Sequence, residues 1–126
     1  MPKATAGARV AVLGASTKEE RYSFKAVQML KEHGFSPVPV HPAGHVVNNL
    51  QAVKSLDDID ERIDTLTLYV GEKISSQQFD KIVKLKPRRV IFNPGAENKE
   101  LAGKLREHGI EVVEACTLVM LRTEQF

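Results

Sequence analysis

One cysteine, Cys116, is all the sequence contains, so no disulfide can form within the chain and no multi-cysteine metal site can be built. A reducing compartment fits that usage. Long apolar runs are also missing. The longest stretches are about five residues, against the roughly 20 that a membrane-spanning helix needs. Met1 to Ala8 has no apolar core behind a basic start, as a secretory signal would, and a cytoplasmic location is the expectation. Neither sign of charge prevails: 18 basic and 16 acidic residues leave a formal +2. They are interspersed, without the basic stripe that a nucleic-acid interface requires. Motifs of catalysis are absent too. There is no G-x-S-x-G elbow, no His-Glu-x-x-His helix and no P-loop lysine, and the histidines at 33, 41, 45 and 108 are not at ligand spacing. No metal site and no catalytic activity of its own are therefore expected.

What is present is an ordinary globular composition, 42% hydrophobic and 27% charged over 126 residues, enough for one domain. The expected organisation is a flexible tail over 1–8 and a single domain over 9–126. Five short apolar runs recur, at Arg9 to Leu13, Pro37 to Val40, Leu66 to Val70, Arg89 to Phe92 and Ile110 to Val113. They are rich in Val, Ile, Leu and Phe, as strands covered on both faces are. Helical patterns lie between them. Tyr22, Ala26, Met29, Leu30 and His33 share one face, Phe79, Ile82 and Val83 follow a Ser75-x-x-Gln78 capping box, and Leu101, Ala102 and Leu105 form a third stripe. Two helix ends echo each other, Leu30-Lys31-Glu32-His33-Gly34-Phe35 and Leu105-Arg106-Glu107-His108-Gly109-Ile110, with glycine where a left-handed residue closes a helix. Alternating strands and helices predict an α/β, Rossmann-like, doubly wound parallel five-stranded sheet with helices on both faces, in the order 3-2-1-4-5. In such sheets ligands sit outside the carboxyl ends of the strands, at the switch point.

The loops at those ends are therefore the candidates. Gly14 lets the backbone turn at the end of the first strand and approach a ligand, and the helix start that follows offers free N–H groups to a pyrophosphate. Alternatively, Ser16 caps a turn through a Ser16-x-x-Glu19 box. At the end of the second strand a dinucleotide site would carry Asp or Glu for the ribose hydroxyls. His41 stands there instead, followed by Pro42, which argues against NAD. Asn93-Pro94-Gly95 reads either as a simple turn or as a ligand contact across the switch point. Lys18, Arg21, Lys25 and Lys73 are phosphate partners to weigh against plain solvation. Cys116 reads as a small buried hydrophobe, with thiol reactivity as the alternative.

These strand-end segments resemble the small stand-alone CoA-binding domain proteins, themselves similar to the amino-terminal CoA-binding domain of the succinyl-CoA synthetase alpha subunit. The resemblance runs from about Arg9 to Leu121 through Val12-Leu13-Gly14-Ala15-Ser16, Arg21-Tyr22-Ser23, Pro39-Val40-His41-Pro42, Ser55-Leu56-Asp57-Asp58-Ile59, Asp64, Asn93-Pro94-Gly95 and Cys116-Thr117. It implies a cradle for coenzyme A or an acyl-CoA made by Gly14, Ala15, Ser16, Arg21, Tyr22 and Ser23, by Val40, His41 and Pro42, by Val70 with Lys73, and by Asn93, Pro94 and Gly95. Where this chain has His41, the family more often has Asn. The function so implied is a non-catalytic binding or sensing module for a small CoA ligand, without nucleic-acid or membrane partners. The alternatives are a small NAD(P)-binding redox or regulatory protein, or a subunit that completes an acyl-CoA enzyme with a partner chain; self-association is open.

Overall fold

A computed structural model describes residues 3–126. Along the first strand, β1 (Arg9–Leu13), Val10 and Val12 enter one apolar core while Ala11 and Leu13 enter another, because successive side chains leave opposite faces. The chain continues through α1 (Tyr22–Glu32), β2 (Ser36–Val40), a small antiparallel hairpin of β3 (Val46–Val47) and β4 (Leu50–Gln51), and a 3-10 turn at Leu56–Asp58. β5 (Thr65–Leu68), α2 (Glu72–Ser76), α3 (Phe79–Leu85), β6 (Arg89–Phe92), α4 (Lys99–Glu107), β7 (Glu111–Glu114) and α5 (Thr117–Arg122) follow. Five strands make one parallel sheet. On one face Val27 and Leu30 of α1 pack with Met120 and Leu121 of α5. On the other, Ile82 of α3 packs with Leu101 and Leu105 of α4. This is the doubly wound α/β sheet that the apolar runs predict.

The strand order is β2-β1-β5-β6-β7, which differs from 3-2-1-4-5 in where the third of the five long runs lies. β5 pairs with β1 in register from Val10 with Thr65 to Leu13 with Leu68, on the side away from β2. The reason is written in β2. Ser36 N–H donates toward β1, to Ala8 O, whereas His41 N–H donates outward, to Val53 O, so alternation turns the nitrogens of Pro37 and Pro39 outward too. Proline has no N–H to offer a ladder, which confines such a strand to an edge. Among the described residues a single parallel bridge, Val40 with Val53, covers that edge.

The two echoed helix ends close as expected. Phe35 N–H donates to Leu30 O at 2.9 Å and Ile110 N–H to Leu105 O at 3.1 Å, with Gly34 and Gly109 at φ +85° and +76°. Each preceding histidine turns its Nδ1 back onto the carbonyl four residues earlier, His33 to Met29 O and His108 to Lys104 O. Other local expectations need correction. Tyr22 is 65% exposed and not on the buried face of α1, which is Ser23, Ala26, Val27 and Leu30. Ser75 caps nothing: it lies buried inside α2, its hydroxyl donating to Glu72 O, and Gln78 makes no side-chain cap for α3. Ahead of β1, residues 4 and 7 bond to the rest of the chain. Ala4 N–H donates to Phe126 O and Gly7 N–H to Gly34 O, both at 2.9 Å; the first two residues of the expected tail lie outside the described residues. No described helix is long and apolar enough to cross a membrane.

Candidate functional site

With β5 between β1 and β6, the order reverses between β1 and β5, and two clefts open there above the carboxyl ends of the strands. They share Gly14 and Tyr69. The first, about 540 Å³, lies over the loop after β1 and the start of α1, between Ser16, Arg21, Tyr22, Ser23 and Tyr69. The second, about 480 Å³, lies between the end of β2, the 54–56 segment and the helices that follow β5, with His41, Pro42 and Val70 in its wall.

Gly14 is the ridge between them, and its conformation explains the residue. Its φ is +88°, and a Cβ would come within 2.9 Å of Tyr69 O and 2.8 Å of Val70 Cγ1, so the position is closed to a side chain by its own neighbours. Its N–H and that of Ala15 both donate to Val40 O. The glycine therefore shapes the turn, and its own N–H is taken by Val40 O. Ser16 is likewise engaged, its N–H donating to Ser23 Oγ and its hydroxyl accepting from Lys18 N–H, both at 3.1 Å; no Glu19 box forms. The open donors belong to α1. Arg21 occupies the N-cap without a side-chain cap, and the first turn holds no acidic residue. The N–H groups of such a turn have no partner within the helix and carry the positive end of its dipole. Lys18 and Arg21 line the same cleft, as does Glu20, and Lys25 lies 5.6 Å from the centre of the Tyr22 ring.

In the second cleft His41 Nδ1 accepts from Ala43 N–H at 3.0 Å, which places the proton of the neutral ring on Nε2, and the ring stacks on His45 at 4.4 Å. Burial, then the neighbouring charge of His45, lowers the His41 pKa below its ordinary value. His45 Nε2 in turn donates to Ala15 O, so the stacked pair ties the β2 loop to the Gly14 turn. Tyr69, which sequence reasoning passed over as part of a strand, lines both clefts. Its hydroxyl is buried without a completed hydrogen bond. Burial pushes the phenol up to about 12, against the pull of the nearby Thr117 and Thr67 hydroxyls, so it remains protonated at physiological pH.

The remaining sequence candidates fall outside the two linings. Ala15 and Val40 are fully buried and support the floor from below. Lys73 is exposed on α2 and lines neither cleft. Asn93 is a fastener: its Nδ2 donates to Thr67 Oγ1 at 2.6 Å and Leu68 O at 2.9 Å, while its Oδ1 accepts from Thr117 N–H at 2.9 Å. Pro94 and Gly95 are exposed beyond β6, and Gly95 N–H is taken by Glu97 Oε1. The three stand beyond β6, which β5 separates from β1. Ser55, from the Ser55-Leu56-Asp57-Asp58-Ile59 segment, lines the second cleft with Lys54, Ile74 and Lys81, which had no motif to mark them. Cys116 is partly exposed at the N-cap of α5. No group of three or more His, Cys, Asp or Glu among the described residues could hold a metal ion.

Comparisons with known proteins agree with this architecture. A solved structure of an uncharacterized protein superposes with a TM-score of 0.91 at 39% identity, covering 97% of this chain and 100% of that one. A protein from Thermus thermophilus superposes at 0.85 with 28% identity, over 95% of this chain and 91% of that one. The uncharacterized protein YneT of Bacillus subtilis is 28% identical over 105 residues, 83% of this chain and 78% of its own length. The family model for the CoA binding domain matches residues 8–122, which takes in β1 through α5 and both clefts, and the chain belongs to that CoA-binding domain family.

Proposed function

We propose that the chain binds coenzyme A or an acyl-CoA across both clefts, as a non-catalytic binding or sensing module. The observation that carries this reading is the meeting, at Gly14 and Tyr69, of a cleft with an uncapped helix start and a cleft with apolar walls. A nucleotide that continues into a long polar arm has the same two parts. The diphosphate lies against the first turn of α1, where Ser23, Tyr22 and Arg21 face it and the backbone N–H groups favour an anion. His41, Pro42 and Val70 border the adenosine in the second cleft, and Ala15 and Val40 hold the floor.

The non-catalytic part of the reading is supported by what the polar groups already do. The Ser16 and Ser23 oxygens both accept backbone N–H groups, and Tyr69 keeps its proton. None of the three is activated as a nucleophile, which would need an adjacent base or a lowered pKa. Thermal melts with CoA, acetyl-CoA and NAD at millimolar concentration test the proposal. A ligand at 100 times its Kd stabilises the folded state by about 2.7 kcal/mol, so CoA or its acyl ester is expected to raise the Tm by several degrees and NAD by much less. A shift with NAD as large as that with CoA would overturn the reading in favour of a dinucleotide-binding protein.

A further inference from the structure

The second cleft carries charge of one sign. Lys54 and Lys81 line it and no carboxylate does; Asp57 and Glu72, the acids next in sequence to its Leu56 and Gly71, are outside the lining. Both ammonium groups are available. Lys81 Nζ donates to the neutral Ser55 hydroxyl at 3.2 Å, and no ion pair among the described residues includes either lysine. Lys54 lies with its stem across Gly44, its Cε 2.9 Å from where a Cβ of that residue would stand, so a side chain at 44 would have to displace it. Ile74, in the same lining, is a large apolar side chain 50% exposed. An apolar side chain and paired cations together suit a flat base that carries an anion at its side, the ammonium groups acting as point charges toward a phosphate.

We infer that Lys54 and Lys81 are a specificity pair that reads a phosphate on the ribose of an adenosine seated in this cleft, with Ile74 closing over the base. The inference rests on the proposed binding of CoA, whose adenosine bears a 3′-phosphate; the 2′-phosphate of NADP presents the same chemistry from another source. It gives the missing acid at the end of β2 a positive meaning, since a carboxylate there would accept free ribose hydroxyls and repel their phosphorylated form.

Calorimetric titration at low salt, of the wild type and of Lys54→Met and Lys81→Met, tests the pair with CoA, dephospho-CoA and NADP as ligands. Each methionine keeps the stem and removes the charge. The wild type should bind CoA about tenfold or more tighter than dephospho-CoA. Each variant should lose about fivefold on CoA and nothing on dephospho-CoA. Equal wild-type affinity for CoA and dephospho-CoA, or the same loss on both in the variants, overturns the lysine assignment and leaves CoA binding standing. Failure of the wild type to bind either overturns the functional reading and this inference with it. Tighter binding of NADP than of CoA, with the same dependence on the lysines, supports the ribose-phosphate pair and overturns the choice of CoA.

Discussion

The imidazole of His41 is held from two sides, by Ala43 N–H at Nδ1 and by the stacked His45 ring, and substitution there separates shape from charge. Asparagine and aspartate both keep a side-chain oxygen that can accept the Ala43 N–H, the familiar bond of an Asx turn. Only aspartate brings a negative charge into a wall otherwise lined by lysines. A like charge a few ångströms from a ribose phosphate in a partly screened cleft costs roughly 1–2 kcal/mol. His41→Asp is therefore expected to weaken CoA about tenfold and dephospho-CoA far less, while His41→Asn retains CoA binding. Isothermal titration of both variants with both ligands is the measurement, and equal CoA affinity for Asp and Asn would move the adenosine elsewhere.

Among the elements, the join between β5, β6 and α5 depends on one amide. Asn93 satisfies Thr67 and Leu68 of β5 and the first N–H of α5 at once, and Thr67 and Thr117 share a hydroxyl bond of 2.8 Å beside it. Removing one partner of a buried hydrogen bond leaves the other unsatisfied at about 1–3 kcal/mol each. Asn93→Ala should accordingly lower stability by about 3 kcal/mol in denaturant unfolding, and should loosen Tyr69, which sits against the same hydroxyls. Asn93→Asp sets a buried carboxylate against the Leu68 carbonyl and should cost at least as much. What the sequence made legible at this scale was whatever is local. The five strands, α1, α4 and their glycine closures follow from periodicity and from residues within one turn of each other. Which side of β1 the third long run would take is a contest between distant segments, and the single local clue, the outward nitrogens of Pro37 and Pro39, was not used. Tyr69 went unmarked because it lies inside the apolar run Leu66 to Val70. The helix α5 was missed for a related reason: it is six residues long without a side-chain cap, and its start is fixed by Asn93 from another strand.

For the molecule as a whole, the sheet is fastened differently at its two ends. The carboxyl ends of the strands open into clefts, while the amino ends close on Asp64. Arg88 grips that carboxylate through Nε at 2.9 Å and Nη2 at 3.1 Å, and Thr65 donates to it at 2.7 Å. Burial alone would raise the Asp64 pKa, but these hydrogen bonds and the charges of Arg88 and Arg89 outweigh it and hold the group below its ordinary 3.8. A carboxyl depressed in the folded state contributes stability that is fully present above its unfolded value and is lost as pH falls through the folded one. Denaturant unfolding at pH 7, 4 and 3 should therefore show the wild type losing more stability on acidification than Asp64→Asn, which starts lower and has a flatter profile; parallel profiles would show that Asp64 carries none of the acid sensitivity.

The backbone bond from Ala4 to Phe126 is reinforced by the Phe126 ring, which lies 5.1 Å from that of Phe35 and 4.5 Å from the Arg89 guanidinium. Residues 4 and 126 thus meet, and the path of the chain is nearly a closed loop. Such a molecule has no privileged starting point: bridging this junction with a short flexible linker and cutting between Asn48 and Asn49, at the tip of the hairpin, would leave every ladder of the five-stranded sheet in place. A circular permutant so made should retain the fold, with the order in which the strands leave the ribosome changed and both clefts intact.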